Sequence, residues 1–340
     1  GSFVVRSIIS AIPAVPASAE TPRAAVRRVQ VDEGSAGKRL DNFLLRLLKG
    51  VPKTHVYRVI RSGEVRVNRG RAAADTRLAL GDEVRLPPVR LSEPAVDAAP
   101  APAREFPLLF EDEQLLAIHK PAGVAVHGGS GVSFGVIEQL RRARPHARFL
   151  ELVHRLDKQT SGVLLLAKKR SALTALQDQF RERRTDKTYA ALVLVTWSAS
   201  RKVIDVPLHK TTGSDGERHV HAVPEGHDDA RRAITLVKVV RHYQDFTLLD
   251  VTIKTGRTHQ IRVHLAHEGQ PIVGDDKYGD FEINRALARG IGFHGLRFGR
   301  MFLHAKRLAF DHPVSGERIV LEAPLPADCV TLLAHMSDTH

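Results

Sequence analysis

"LVHRLDKQTSGVLLLAKK", residues 152–169, changes character at its middle. The first half is polar and holds one carboxylate, Asp157, among His154, Arg155, Lys158, Thr160 and Ser161, with Gly162 closing it. The second half, Val163-Leu164-Leu165-Leu166-Ala167, is an unbroken apolar run of strand length bounded by Lys168. Such a run predicts a buried strand. A loop that feeds a core strand is a rigid mount for a catalytic group. A lone carboxylate among donors and cations is expected to be ionised and held in one orientation. An ordinary turn with solvated charges is the plainer alternative.

Working outward, the 340 residues suffice for a large core and two or three domains. No run of 18 apolar residues predicts a transmembrane helix. The single cysteine, Cys329, excludes an intrachain disulfide and a Cys-based zinc site. A formal net charge of +13 points to a polyanionic partner, while only 5% aromatic residues argue against binding mainly by base stacking. Phosphate contact and shape reading come first on that balance.

Five segments are expected. Residues 1–28 read as a disordered leader, with Gly1-Ser2 a cloning remnant; Pro13, Pro16 and a lone Arg6 disfavour a signal peptide. Residues 29–90 form a small basic unit, 91–105 a Pro/Ala-rich linker, 106–328 a larger domain and 329–340 a C-terminal tail. Between Ser35 and Arg90, thirteen basic residues face five acidic ones, a net +8. "KRLDNFLLRLLKG" predicts an amphipathic helix ending at Gly50, "PKTHVYRVIRSG" a second, and "EVRVN" and "DEVRLP" two strands. In the larger domain "LLAIHK", "KTYAALVLVTW", the pair turning near Gln244-Asp245, "MFLHAKRLAF" and "ERIVLEAP" read as strands. "GVIEQLRRARP", "RSALTALQDQFRERR" (Ser171 near its N-cap) and "RTHQIRVHLAHEG" read as helices. Mixed strands with interspersed helices give an α+β class.

Several chemistries are disfavoured. His259, His264 and His267 do not form a metal motif. No acid stands beside Asp157 as a glycosidase pair requires, and Ser161 lacks a nucleophile elbow. A lone Asp facing an Arg, with His259 and Arg262 placed on one helix face, suits work on a sugar carbon, as nucleophile at C1′ or base at C2′.

"HRLDKQTSGVLLLAKK", "KTYAALV", "TGRTHQIRVHLAHEGQPIVGD" and "FLHAKRLAFDHPVSGE", with "KPAGVAVHGGSGVSFGVIEQLR" ahead of them, resemble the motifs of RluA-type pseudouridine synthases over most of 106–328. "GKRLDNFL" and "VYRVIRSGEVRVNRG" resemble the S4 RNA-binding domain. The resemblance implies a mixed/antiparallel-sheet α+β catalytic domain behind a small N-terminal α/β S4 domain. It implies Asp157 as the essential carboxylate, Tyr189 as a ring against the uracil, and Arg262 as the partner of Asp157. Arg155 would aid extrusion of the nucleotide, Leu303 line the uracil pocket, and His154, Thr160 and His259 contact substrate. Lys38, Arg39, Lys53, Arg58 and Arg61 would line an RNA-facing surface. No cofactor or metal is implied, because isomerisation needs no redox change. The implied partner is 23S rRNA or a large-subunit assembly intermediate, met by a cytoplasmic monomer without a membrane. One departure is Gln159, where a second acid is usual. A non-catalytic RNA-binding protein and a tRNA-directed synthase are the competing readings.

Overall fold

The structure is a computed structural model that describes residues 26–88, 101–129, 134–213 and 217–338. It divides into two units, residues 1–97 and 98–340.

The N-terminal unit runs β1 (Arg27–Gln30), α1 (Leu40–Leu47), α2 (Lys53–Arg61), β2 (Arg66–Val67), β3 (Gly70–Arg71) and β4 (Glu83–Leu86). Its four strands pair antiparallel in the order β1-β4-β2-β3. Leu40, Phe43 and Leu44 of α1 and Val56, Val59 and Ile60 of α2 recur at helical spacing and bury against Val65, Val84 and Leu86. The first helix stops at Leu47 rather than Gly50, because Leu48 already leaves helical geometry. Arg27 and Arg28, expected in the leader, are strand residues paired with Leu86 and Arg85. Residues 1–25 of that expected leader lie outside the described residues, as do 91–100 of the expected linker.

The larger unit begins with β5 (Leu108–Glu111), β6 (Leu115–Lys120), α3 (Val136–Ala143), β7 (Glu151–Leu152), β8 (Ser161–Ala167), α4 (Arg170–Arg181) and β9 (Asp186–Leu194). It continues with β10 (Val203–Asp205), β11 (Leu208–Thr212), β12 (Arg218–Ala222), β13 (Ile234–His242), β14 (Phe246–Ile253) and α5 (Gln260–His267). It ends with α6 (Phe281–Arg289), β15 (Leu303–Asp311), β16 (Arg318–Glu322) and α7 (Ala327–Asp338). The main sheet has the order β10-β13-β14-β9-β15-β8-β6-β5, with β16 on β15 and β7 on β8. Its pairs are antiparallel except β8 with β15, which makes the sheet mixed.

The apolar run of β8 explains the layering. Val163, Leu165 and Ala167 face α4 through Ala172, Leu173 and Leu176. Leu164 and Leu166 face α3 through Val136, Ile137 and Leu140. Alternate side chains point to opposite faces, so a strand covered on both sides loses its polar alternation. The one parallel pair sits where the polar half of the opening stretch ends: Ser161 opposes His304 and Gly162 opposes Ala305. Gly162 has φ +125°, and a Cβ there would meet the Ala305 carbonyl oxygen at 2.1 Å. Only glycine allows this approach.

Three expectations change at the margins. Residues 329–338 of the expected tail are helical: α7 runs to Asp338 and buries Cys329, Leu332 and Met336 against Leu192, Phe298 and Phe302, while 339–340 lie outside the described residues. Arg104 and Glu105, expected in the linker, bond to α3 through Arg104 N–H to the Gln139 carbonyl and Glu105 to Arg144. Ser171 is not the cap of α4, whose N-cap is Lys169. Among the described residues no helix is long and apolar enough to cross a membrane.

Candidate active site

The polar loop between β7 and β8 is pinned from below by a buried lysine. Lys120, at the end of β6, is fully buried and donates to the carbonyls of Pro121, Val124 and Lys158 at 2.8, 2.6 and 3.0 Å. Burial pulls its pKa down to about 7, while three carbonyls match the three protons of the charged form. Gly123 N–H also donates to the Lys158 carbonyl, and Thr160 N–H to that of Asp157. Asp157 is thereby fixed at the top of the central strands with its side chain 34% exposed.

Arg262, on α5 and 105 residues away in sequence, donates from Nη1 to Asp157 Oδ2 at 3.1 Å. The guanidinium is itself clamped: Nε and Nη2 donate to Oδ2 and Oδ1 of Asp275, each at 2.8 Å, and it lies 5.2 Å from the Tyr278 ring centre. The Asp275 side chain is 1% exposed. Burial alone would raise its pKa, but the fork from Arg262 and the backbone N–H groups of Lys277 and Tyr278 outweigh it and hold the carboxyl below its usual range. Burial opposes the charge on Arg262 too, and Asp275 and Asp157 together overcome it and raise its pKa.

His259 occupies the other side of Asp157. Its Nε2 lies 3.8 Å from Asp157 Oδ1, and its Nδ1 is 2.7 Å from the Tyr278 hydroxyl. Val220 N–H donates to that hydroxyl at 3.1 Å, which leaves the phenol proton for Nδ1. The Asp157 carboxylate favours the hydrogen on Nε2, since the other tautomer would aim a lone pair at it. Burial first, moderated by Asp157, lowers the His259 pKa to about 4, so the ring is neutral. His259 is left-handed, φ 54°, so α5 starts at Gln260, and His259 caps the helix instead of sharing a face with Arg262.

Tyr189 of β9 pairs with Val251 on one side and Ala305 on the other. Burial and the charge of Asp157 push its phenol above the ordinary range and keep it protonated. Leu303, buried at the start of β15, and Tyr189 join the apolar wall of a cavity of about 1000 Å³ that Asp157, Thr160, His259 and Arg262 also line. Arg155 lines it from an exposed position, where burial and then Arg218 pull its pKa down. His154 lines the same cavity, but its Nε2 accepts from Leu165 N–H at 3.0 Å and its ring stacks on Phe180. Burial lowers its pKa to about 3, so it braces β8 as a neutral ring. Among the described residues no group of three His, Cys, Asp or Glu side chains is placed to hold a metal.

In the N-terminal unit Lys53 and Arg61 are exposed and line a groove of about 540 Å³ with Tyr57 and Arg71. Arg58 is exposed and bonds His55, and Lys38 is half-buried. Arg39 is turned inward to a fork on buried Asp41, which also accepts from the Tyr57 hydroxyl.

Sequence reasoning missed Asp275, Tyr278, Lys120 and Lys187. For the two lysines a signal existed: each stands at the end of an apolar strand, "LLAIHK" and "KTYAALV". For Asp275 and Tyr278, in the turn after α5, no spacing rule points back to Arg262 and His259.

Comparison with known proteins adds a family and relatives. Residues 114–267 match the model of the RNA pseudouridylate synthases, and residues 38–84 that of the S4 domain. The chain is 48% identical over 311 residues to "Ribosomal large subunit pseudouridine synthase C" of Escherichia coli K12, covering 90% of this chain and 94% of that protein. It is 46% identical over 321 residues to the protein of the same name from Pasteurella multocida, covering 92% and 95%. Among solved structures, "Human RNA Pseudouridylate Synthase Domain Containing 4" superposes with a TM-score of 0.56 at 28% identity, covering 68% of this chain and 93% of that one.

Proposed function

The chain belongs to the RNA pseudouridylate synthase family, and on that premise we propose that it isomerises uridines of 23S ribosomal RNA to pseudouridine through Asp157. It is an enzyme of RNA, and the large-subunit rRNA is the substrate class that its relatives' names carry. The observation that carries the residue assignment is the Asp157–Arg262 ion pair, formed between distant segments at the wall of a 1000 Å³ cavity beside Tyr189.

The target uridine leaves its stack, at a cost of a few kcal/mol that backbone contacts offset. Asp157 then acts at the sugar, either by attack on C1′ or by removal of the C2′ proton. In either route the N1–C1′ bond breaks and the uracil keeps the electron pair. The ring turns against Tyr189 and Leu303, C5 bonds to C1′, and the C5 proton is lost as N1 gains one. Atoms and charge balance, and no redox partner enters. Arg262 holds one carboxylate oxygen and the neutral His259 ring stands beside the other, so Asp157 meets the sugar without first reorienting. Arg155 at the rim takes the place of the extruded nucleotide. Lys53, Arg58 and Arg61 of the S4 domain contact phosphates, and the substrate is the rRNA of the large subunit, free or in an assembly intermediate.

The test is tritium release from a 23S rRNA transcript labelled with [5-³H]uridine. Wild-type protein should release tritium, and Asp157→Ala should release none while binding RNA within about tenfold of wild type, since the phosphate contacts remain. Turnover by the variant would overturn the assignment of Asp157.

A further inference from the structure

Lys187 is 8% exposed, on β9, two residues before Tyr189. Residues two apart on a strand share a face and lie ~7 Å apart, and both side chains line the same cavity. No hydrogen-bond acceptor or carboxylate among the described residues partners the ammonium. Its neighbour Asp186 is engaged by Lys254 and Arg318. Asp157 is engaged by Arg262 and His259. Glu217, the other acid on the cavity wall, pairs with Lys277. What Lys187 does touch is the Phe180 ring, 5.4 Å from Nζ to the ring centre.

A buried ammonium without an anion destabilises a fold, and burial already lowers this one to a pKa of about 8. Such a group persists where a ligand supplies the missing charge. Arg183 and Arg257 line the same cavity, as does Lys254, which is paired with Asp186. Gly256 keeps the space open, since a Cβ there would come within 3.1 Å of Nζ.

We propose that Lys187 is the seat of a phosphodiester of the RNA, the one beside the extruded uridine whose base lies against Tyr189. This rests on the pseudouridine synthase reading. A uracil carbonyl is neutral and brings no formal charge to an ammonium that is largely withdrawn from water. A phosphodiester carries one and is tied to the flipped base within one nucleotide.

The experiment compares wild type, Lys187→Met and Gly256→Ala on an unmodified 23S rRNA transcript. Binding is measured against salt, and phosphate-ethylation interference is mapped on the bound RNA. Lys187→Met should make the plot of log K against log salt shallower by ~0.7–0.9, the value of one phosphate contact. It should also erase the interference signal at the phosphates flanking the converted uridine, with no fall in melting temperature. Gly256→Ala should weaken the same signal by displacing Nζ. An unchanged slope and pattern in Lys187→Met would overturn the proposal. So would a melting temperature several degrees lower, because the protein itself would then be the partner of the ammonium. Tritium release by wild type is scored first: without it the functional reading fails and takes this one with it, whereas release with an unchanged slope fails this inference alone.

Discussion

Replacing Asp275 by Asn tests whether the clamp behind Arg262 sets up Asp157. Asp275 Oδ1 accepts from Arg262 Nη2 and from the backbone N–H groups of Lys277 and Tyr278, at 2.8, 3.0 and 3.1 Å. Those three donors fix where the amide oxygen of Asn must sit. The amide nitrogen then takes the place of Oδ2, 2.8 Å from Arg262 Nε, and sets donor against donor. One charge-assisted bond, worth ~1.5–3 kcal/mol, is lost. Breaking a buried pair outright costs ~3–5 kcal/mol, and Asp157 still partners the guanidinium, so about 3 kcal/mol is expected. At ~2–4 °C per kcal/mol for a unit of this size, the melting temperature should fall by about 6–12 °C. If ~1.4 kcal/mol of that is lost at the Asp157–Arg262 contact, turnover slows about tenfold. Thermal melting and tritium release from labelled rRNA read the two effects. Asp276, 83% exposed and 3.6 Å from Arg262, is the control, and Asp276→Asn should change neither. A variant Asp275→Asn that melts and turns over like wild type would refute the idea that Asp275 holds Arg262.

Tyr278→Phe keeps the ring beside Arg262 and removes only the hydroxyl; kcat should fall about fivefold, for ~1 kcal/mol of lost orientation, with KM unchanged. Nitrogen NMR of His259 should show the Nε2–H form in wild type and a mixture in the variant, and one identical tautomer in both would count against the relay. Gly162→Ala drives a Cβ into the Ala305 carbonyl and should cost at least ~4 kcal/mol, read as lost soluble yield or a collapsed melting temperature; a well-folded variant would disprove the close β8–β15 approach. Stability should also fall with acid. His154, His259 and His304 are held neutral by burial, the first with a pKa of about 3 and the others of about 4, against ~6.5 unfolded. Between those values the unfolded chain binds the extra protons, so stability rises with pH across that window and is lost as pH drops through it. Each histidine contributes ~1.4 kcal/mol per pH unit. Urea unfolding at pH 5 should show up to about 6 kcal/mol less stability than at pH 7 from the three rings together, and equal values would contradict the buried neutral rings.

Much of the architecture was legible because it is local. The apolar run 163–167 announced a buried strand, and the strand is covered on both faces. The pair turning near Gln244-Asp245 is β13 and β14, and the helix over 170–181 shows its apolar stripe in the sequence. What failed lay at element ends. The start of α5 was misjudged because His259 adopts a left-handed conformation that no periodicity announces. The C-terminal segment reads as a tail in the sequence because α7 owes its order to contacts with Phe298, Phe302 and Leu192, distant along the chain.

For the site, the sequence by itself pointed to an acid at 157 among donors and to a basic N-terminal unit, and the family resemblance added the proposed roles of Tyr189 and Arg262. Asp157 is marked by its own neighbours along the chain, Tyr189 and Arg262 by the motifs in which they stand. Only the tertiary structure decided how they are held. Asp275 closes on Arg262 through a turn, Tyr278 sets the tautomer of His259, and Lys120 ties the Asp157 loop to β6. It also decided that His154 braces a strand and that Lys187 has no counter-ion in the cavity among the described residues. The physical reason is that orientation and desolvation are properties of packed surroundings. Hydrogen-bond partners and burial arise between segments that the sequence separates by tens of residues, and those partners fix which proton each group carries.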